Sequence, residues 1–517
     1  MLSSRRILAP VAALVLVLTG CTARPAPVPP PPGTPGGATN GAADWRECPD
    51  VARDLVGRVP TNVTYECATI KVPRDWGAVA SGASPSAGTG GATFDIALLR
   101  TRSRAQRERI GSLVVNPGGP GASGVDLAVY LSLGLPAEIT RRFDIVGFDP
   151  RGVGRSTQVK CISDEDLDVS FGYEPDPVSQ AEFDGLVALT KKIGQACGAK
   201  YGDSLKFFST EQAARDMDAV RAAVGDEKIT YLGYSYGTLL GATYAQLFPR
   251  SIRALVLDGA VDPKQNAIAA SEGQAKGFER AFTNFANWCR SRGSQCPIGP
   301  DARAAVNSAL DKARSSPVRG RDGRDATAGW VFTAVVSSLY TQQGWAELAS
   351  ALDKLEGGDP AGVFDLADRY AERDSSGHYS NLFDANSAVN CADEDEKFTI
   401  AQIRELQGQW RTKYPLFGAP LATGVLTCAQ WPGGRDPYPT GAATGAPPIV
   451  VVGTTGDPAT PYEQTPKLAE MLGVGVVLTW QGEGHTAYPE TRCVNNAVNS
   501  YLVDLEVPRA GTTCPAR

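Results

Sequence analysis

The segment Ile229–Gly241 constrains the fold more than any other part of the chain. It is a β-rich apolar run that continues directly into the start of a helix. At the corner, Gly233-Tyr-Ser-Tyr-Gly237 matches the G-x-S-x-G pattern, a tight strand–turn–helix whose central serine has a strained backbone. The pentapeptide alone is a weak signal in a chain with 56 glycines. Its flanking strand and helix patterns carry the prediction that Ser235 is a nucleophile.

Strand and helix patterns alternate from residue 110 to residue 263. Such alternation predicts an α/β fold, with a mostly parallel, doubly wound sheet and helices on both faces. The alternation stops at Pro263, and helix patterns without strands follow as far as Pro437. We expect a large helical insertion there, long enough to be a second domain. Its predicted helices are Asp301–Arg314, Gly329–Gln342, Trp345–Glu356, Asp359–Arg373 and Thr399–Lys413, besides one that carries Phe278, Phe282 and Phe285 on one face.

Strand patterns resume after the insertion, at Ile449–Gly453 and Gly475–Trp480. The predicted organisation therefore has five parts. They are a signal peptide (1–20), a lipidated Pro- and Gly-rich tether (21–43), the first part of the α/β core (44–263), the insertion (264–437) and the second part of the core (438–517). Within the first part, the Gly/Ser/Ala-rich stretch Gly77–Gly91 predicts a mobile loop.

The chain begins with the features of an export signal. Arg5 and Arg6 precede the apolar run Ile7–Leu18, which is too short for a bilayer core that needs about 20 residues. The order Leu-Thr-Gly-Cys then ends at Cys21, as in a bacterial lipobox whose cysteine receives a diacylglyceryl group. The alternative is an ordinary secretory signal cleaved near Ala23. We expect an exported protein, lipid-anchored through Cys21 on the outer face of the cell membrane.

The cysteine count predicts an oxidising compartment. Of 11 cysteines, ten remain besides Cys21, and they follow one another along the chain as near neighbours. Sequential pairing would give Cys48–Cys67, Cys161–Cys197, Cys289–Cys296, Cys391–Cys428 and Cys493–Cys514, although spacing alone cannot fix the connectivity.

Composition also argues against several partners. With two histidines and no C-x-x-C pair, no metal site is expected. The formal net charge is −6 with no basic cluster, which disfavours nucleic acid. No dinucleotide fingerprint with a downstream ribose-binding acid is present, so no cofactor is expected either. We expect a monomer.

A serine hydroxyl needs an adjacent base, oriented by an acid, to act as a nucleophile. His485 follows a late strand in a glycine-flanked loop, whereas His378 lies in the insertion and is expected at the surface. The acid should follow a strand between the serine and the histidine. Asp457 fits this position. Asp258 and Asp262 are the alternatives, unless they only cap a turn.

An acyl-transfer site also needs two backbone N–H donors for the developing oxyanion. One is expected at Tyr236, directly after the nucleophile at a helix N-terminus. The other should come from the Pro-Gly-Gly-Pro-Gly loop that follows a short strand, where we favour Gly119 over Gly118.

Together these motifs resemble the α/β-hydrolases of the prolyl iminopeptidase and tripeptidyl aminopeptidase type. The motifs are Asn116-Pro-Gly-Gly-Pro-Gly121, Asp149-Pro-Arg-Gly-Val-Gly-Arg-Ser156, Gly233-Tyr-Ser-Tyr-Gly237, Gly456-Asp457 and Gly484-His485. Within that group, the lipobox, tether and insertion look most like the actinobacterial tripeptidyl aminopeptidase-like lipoproteins. The resemblance implies an α/β-hydrolase fold with a helical lid, with Ser235, Asp457 and His485 as the catalytic residues.

The resemblance further implies that Asp149 and Arg151 are structural. One departure is that this chain has Asn116-Pro117 where prolyl iminopeptidases usually carry His-Gly, which weakens the transfer of substrate preference.

An aminopeptidase must hold an α-ammonium group, and in the acidic run that starts at Asp393 and Glu394 we identify candidates for this role. The alternative is a solvated helix start. Thr460 is a candidate for bonding the acid or lining the pocket, and a plain turn hydroxyl is the alternative.

The sequence therefore predicts a cell-envelope serine hydrolase that cleaves peptides or proteins through an acyl-enzyme. Two alternatives remain, a carboxylesterase or lipase with the same triad, and a non-catalytic binding protein on a hydrolase scaffold.

Overall fold

The computed structural model describes residues 43–78 and 92–516. The predicted leader, Cys21 and nearly all of the tether lie outside the described residues, as does most of the predicted mobile loop. Within the described ranges, no helix combines the length and apolar composition needed to cross a bilayer.

Twelve strands and eighteen α-helices make up the described fold. The strands are β1 (Arg46–Glu47), β2 (Val63–Pro73), β3 (Thr93–Ser103), β4 (Gly111–Asn116), β5 (Phe143–Phe148), β6 (Ile229–Tyr234), β7 (Ile252–Asp258), β8 (Val318–Arg319), β9 (Asp325–Ala326), β10 (Ile449–Gly456), β11 (Gly475–Glu483) and β12 (Thr512–Cys514).

The helices of the first core segment are α1 (Pro49–Val56), α2 (Gly124–Gly134), α3 (Ala137–Arg142), α4 (Asp164–Gly172), α5 (Gln180–Tyr201), α6 (Thr210–Ala223) and α7 (Tyr236–Leu247). Those between β7 and β10 are α8 (Ala267–Arg292), α9 (Ala302–Ser315), α10 (Ala328–Leu339), α11 (Gly344–Glu356), α12 (Ala361–Ala371), α13 (Leu382–Asp393), α14 (Ile400–Lys413), α15 (Gly418–Gly424) and α16 (Leu426–Ala429). The chain closes with α17 (Gln464–Leu472) and α18 (Arg492–Asp504).

One ten-stranded sheet, ordered β1-β2-β3-β5-β4-β6-β7-β10-β11-β12, organises the molecule. The strands from β5 to β12 in this order run parallel, and β1, β2 and β3 add an antiparallel edge. Parallel neighbours need crossovers, which the helices supply on both faces. The central strands β4 and β6 are buried along their whole length because helices cover both faces.

The insertion between β7 and β10 is helical, as predicted, with one correction. Residues 318–319 and 325–326 form a short antiparallel hairpin, so the expectation of no strands there was wrong. Two-residue strands are too short to leave a periodic pattern in a sequence. The largest buried apolar cluster includes both Val114 of β4 and Phe282 and Val335 of the insertion, so the insertion packs on the sheet through a shared core.

Five disulfides join cysteines that are neighbours along the chain, in the sequential pattern expected. They are Cys48–Cys67, Cys161–Cys197, Cys289–Cys296, Cys391–Cys428 and Cys493–Cys514. The fourth of these lies within the insertion and ties the end of α13 to α16.

Candidate active site

Ser235 is the only residue between β6 and α7. Its backbone has φ 55° and ψ −124°, an unfavourable conformation for a residue with a side chain. A Cβ on Gly233 would lie 2.3 Å from the carbonyl oxygen of Gly237, which explains why glycine is needed there. The Ser235 N–H donates to the carbonyl of Asp258 at 2.8 Å. The serine is therefore fixed on a sharp corner at the carboxyl edge of the sheet, and it is partly exposed.

Asp457 follows β10 directly and is fully buried. One carboxylate oxygen accepts hydrogen bonds from the N–H groups of Ala459 and Thr460, both at 2.9 Å. The other accepts from the Thr460 hydroxyl at 3.0 Å and from the Thr486 N–H at 3.3 Å. A buried carboxylate needs such donors to offset its lost hydration. Thr460, which the sequence offered as a partner of the acid, makes that bond.

His485 lies just after β11, and its Nδ1 is 2.9 Å from both carboxylate oxygens of Asp457. Its main-chain N–H donates to the carbonyl of Tyr340 at 2.8 Å, and the Tyr340 ring meets the imidazole edge-on at 5.4 Å between centroids. With Nδ1 directed at the acid, Nε2 is left for a different partner.

The pKa of His485 results from opposing influences. Burial favours the neutral ring, but the charge of Asp457, its hydrogen bond and the charge of Asp258 together raise the pKa above the usual value. The site thus stabilises the imidazolium that forms when the ring accepts a proton.

The loops that carry Ser235 and His485 meet at Gly259. This glycine follows Asp258, whose carbonyl holds the Ser235 N–H, and a Cβ on it would lie 3.2 Å from His485 Cε1. Among the hydrogen bonds of the described residues, none joins Ser235 Oγ to His485. Bonds between nucleophile and base are often long without substrate and tighten when it binds.

Asp258, one of the alternative acids, has a different set of partners. Its carboxylate accepts from the N–H groups of Ala487 at 3.0 Å and Tyr488 at 2.7 Å, in the loop that carries His485. Burial is the main reason that its pKa rises to about 7. Asp262 accepts from the Lys264 N–H. Asp457 thus contacts the imidazole ring, whereas Asp258 binds the main chain beside it.

The N–H groups expected to bind an oxyanion are that of Tyr236, which follows Ser235 directly, and that of Gly119 or Gly118 in the glycine-rich loop. Gly118 is buried against the serine, since a Cβ on it would lie 2.9 Å from the Tyr236 nitrogen, and its own N–H donates to Asn116 Oδ1 at 2.9 Å. Gly119 is exposed. In residues 43–78 and 92–516, no hydrogen-bond acceptor is found for the N–H of Gly119 or Tyr236. Because the Gly118 N–H already has an acceptor in Asn116 and the Gly119 N–H has none among the described residues, Gly119 is favoured over Gly118 as the donor from this loop.

The two acidic candidates for substrate binding have partners within the chain. Asp393 accepts from the Thr210 N–H at 2.8 Å and from its hydroxyl at 2.6 Å, and burial raises the pKa of Asp393 to about 8. Glu394 accepts from the N–H of Ala267, the first residue of α8, at 2.8 Å. Their contacts are those of helix caps.

The other predicted positions have structural surroundings. His378 is exposed on the insertion, 2.9 Å from Asp164. Asp149 and Arg151 are fully buried, and Arg151 pairs with the buried Asp216 at 2.6 Å. In the described part of the chain, no group of three or more His, Cys, Asp or Glu side chains could hold a metal ion.

A polar cleft of about 420 Å³ adjoins the imidazole. Its lining includes Tyr340, Gln343, Glu483, His485 and Glu490. Burial raises the pKa of both glutamates. The cleft is lined mainly by polar side chains, and Ser235 is not among its lining residues.

Helix α13 contacts the glycine-rich loop of the site and was missed by the sequence analysis. The Asn386 amide donates to the carbonyl of Pro120 at 3.0 Å. The buried Ala385, Ala388 and Val389 recur at helical spacing, and that pattern was the available signal.

Known proteins resemble this chain over most of its length. A family described as TAP-like protein matches residues 414–514. "Serine protease Hip1" of Mycobacterium tuberculosis is 38% identical over 81% of this chain and 83% of its own. "Carboxylesterase B" of the same species is 36% identical over 91% of this chain and 89% of its own. "Tripeptidyl aminopeptidase" of Streptomyces lividans is 29% identical, covering 92% and 87%.

Proposed function

This chain belongs to the α/β-hydrolases of the tripeptidyl aminopeptidase type, and on that premise we propose that it cleaves peptide bonds through an acyl-enzyme on Ser235. It is an enzyme of the serine hydrolase class. The observation that carries the residue assignment is the pairing of buried Asp457 with His485 at 2.9 Å, beside a serine on a strained corner. We assign Ser235 as nucleophile, His485 as base and Asp457 as the acid that orients the base.

The proposed reaction begins when His485 Nε2 takes the proton of the Ser235 hydroxyl as Oγ attacks the scissile carbonyl carbon. The carbonyl oxygen becomes an oxyanion, which accepts hydrogen bonds from the N–H groups of Gly119 and Tyr236. Collapse breaks the C–N bond, and the imidazolium gives its proton to the leaving amine. Water, deprotonated by His485, then attacks the acyl-enzyme, and collapse returns the proton to Ser235.

The names of the relatives support a peptide substrate. Those at 38% and 29% identity are named a serine protease and a tripeptidyl aminopeptidase. A carboxylesterase is the second candidate, because a relative at 36% identity carries that name.

We also propose that the protein acts outside the cytoplasm. The basic and apolar leader, the lipobox ending at Cys21 and the five disulfides support export and anchoring through a lipid. We further propose that the protein acts as a monomer, and its net charge of −6 disfavours a nucleic-acid partner.

A fluorophosphonate probe and a substrate panel test this proposal. The probe should label the wild type and a Ser291→Ala control, whose hydroxyl lies exposed on α8, but not Ser235→Ala. The panel compares N-terminally free tripeptide amides, N-blocked peptides, and short- and long-chain acyl esters. Failure to label the wild type would refute the enzyme assignment, and turnover of long-chain esters alone would refute the peptidase assignment.

A further inference from the structure

Helix α13 of the insertion lies directly on the glycine-rich loop that carries Gly119. Asn386, in its second turn, donates its amide to the carbonyl of Pro120, the residue after Gly119. The first turn packs so closely that a Cβ on Gly121 would lie 2.4 Å from the carbonyl oxygen of Leu382. The last glycine of the loop therefore accommodates this helix.

The last residue of the same helix reaches the other oxyanion donor. Asp393 accepts the two hydrogen bonds from Thr210, and the Thr210 hydroxyl lies 2.6 Å from the hydroxyl of Tyr236. Thr210 is fully buried and Tyr236 is 6% exposed, so this chain of bonds is shielded from water. The side chain of Tyr236 is thus anchored through α13, and its main-chain N–H belongs to the residue directly after Ser235.

Helix α13 is itself fixed to the core. The Asn381 amide donates to the carbonyls of Gly152 and Val159, both at 2.7 Å. The buried Asp384 accepts from the N–H groups of Cys161 and Ile162 at 2.6 and 2.7 Å. With its disulfide at the far end, the helix is a rigid element rather than a loosely attached part of the lid.

We propose that α13 positions both oxyanion donors. The Asn386 amide fixes the loop that carries the Gly119 N–H, and the bond of the Tyr236 hydroxyl to Thr210 and Asp393 fixes the residue that carries the second N–H. The inference rests on the proposed function, since it assigns positioning residues to the same acyl-transfer site. Neither group touches the substrate. Each acts by keeping an N–H directed at the place where the oxyanion forms, and such donors stabilise the transition state only when they are held in place beforehand.

The test replaces Asn386 by leucine, which has a similar size and cannot donate, and Tyr236 by phenylalanine, which loses only the hydroxyl. Asn287→Leu is the matched control, because Asn287 is exposed on α8 and, within the described part of the chain, its side chain hydrogen-bonds only Arg290. Each protein is assayed with a substrate ester and with its thionoester, in which sulfur replaces the carbonyl oxygen. Sulfur is the weaker acceptor, so the thionoester gains less from the oxyanion donors.

We expect Asn386→Leu and Tyr236→Phe each to lower kcat for the oxygen ester by about 10- to 100-fold, with KM nearly unchanged. The value of kcat for the thionoester should fall much less. The ratio of kcat for the oxygen ester to kcat for the thionoester should therefore decrease in both variants. Asn287→Leu should keep the wild-type ratio.

An equal loss on both esters, or no loss, would overturn the positioning role. The two variants test the two ends of α13 separately, so one that fails to fold leaves the other to decide. A wild type that turns over neither ester and resists the fluorophosphonate would instead refute the proposed function.

Discussion

Replacing Asp457 by asparagine tests the proposed chemistry most directly. Both oxygens of this buried carboxylate accept hydrogen bonds, one from the N–H groups of Ala459 and Thr460, the other from the Thr460 hydroxyl and the Thr486 N–H. An asparagine keeps the shape but has only one accepting oxygen. Its best orientation leaves that oxygen facing the two N–H groups at 2.9 Å and turns the NH₂ group toward the ring.

That NH₂ group would then donate to His485 Nδ1, which lies 2.9 Å from either oxygen. An imidazole that accepts at Nδ1 carries its proton on Nε2, so it cannot take a proton from the serine. We expect kcat to fall by about 10⁴-fold, or about 5.5 kcal/mol of transition-state stabilisation, as in other triads changed this way. The Thr486 N–H loses its acceptor, which should lower the free energy of unfolding by about 1–3 kcal/mol.

Steady-state kinetics on the best substrate of the panel, with thermal unfolding as a check on folding, measures both effects. Asp262→Asn is the matched control. Asp262 follows the neighbouring strand β7, and among the described residues its carboxylate contacts the Lys264 N–H and the Lys467 ammonium rather than the imidazole. A folded Asp457→Asn protein with undiminished kcat, together with loss of activity in Asp258→Asn, would show that the acid has been misassigned.

Three further predictions follow from the same geometry. His485 must be neutral to act as a base and its pKa is raised, so kcat/KM should fall on acidification with a midpoint above 6.5. A midpoint well below this value would contradict the influence of Asp457 and Asp258 on the imidazole. The folded protein holds a proton on Asp258 up to a pKa of about 7, whereas the unfolded chain loses it near 3.8, so this group stabilises the fold fully below pH 3.8 and loses that effect as pH rises through about 7. Between these two pH values, the Tm of the wild type should therefore decline more steeply than the Tm of Asp258→Asn. Gly118→Ala places a side chain on a residue with φ 93°, and its Cβ would lie 2.5 Å from the Tyr234 carbonyl oxygen. Denaturant unfolding should therefore show a loss of about 1–3 kcal/mol or more in the free energy of unfolding. Gly134→Ala is the control and should cost little, because a Cβ added there would meet no neighbouring atom within 4 Å.

Much of this fold could be predicted because its signals are local. Alternating strand and helix patterns predicted the parallel sheet, and the strand-to-helix corner at Ser235 required glycines at fixed offsets. Two histidines left little choice of base. Residues that follow parallel strands gather at one edge of the sheet, so the order of Ser235, Asp457 and His485 predicted that their loops would meet.

Other features depended on tertiary contacts between distant segments. The sequence could rank Asp457 above Asp258, but only the fold decided that one meets the imidazole and the other the main chain beside it. The sequence pattern did not predict that Asp393 caps α6, because Thr210, the residue that Asp393 binds, lies 183 positions away in the chain.

The amino-acid sequence by itself determined the sheet, the corner that carries the serine and the small set of residues able to act on it. Only the tertiary structure decided how the insertion meets the site, where Asn386 reaches Pro120 across 266 positions of the chain. The physical reason is that backbone preference and apolar periodicity act over a few residues, whereas a hydrogen bond between two loops depends on how the whole core packs.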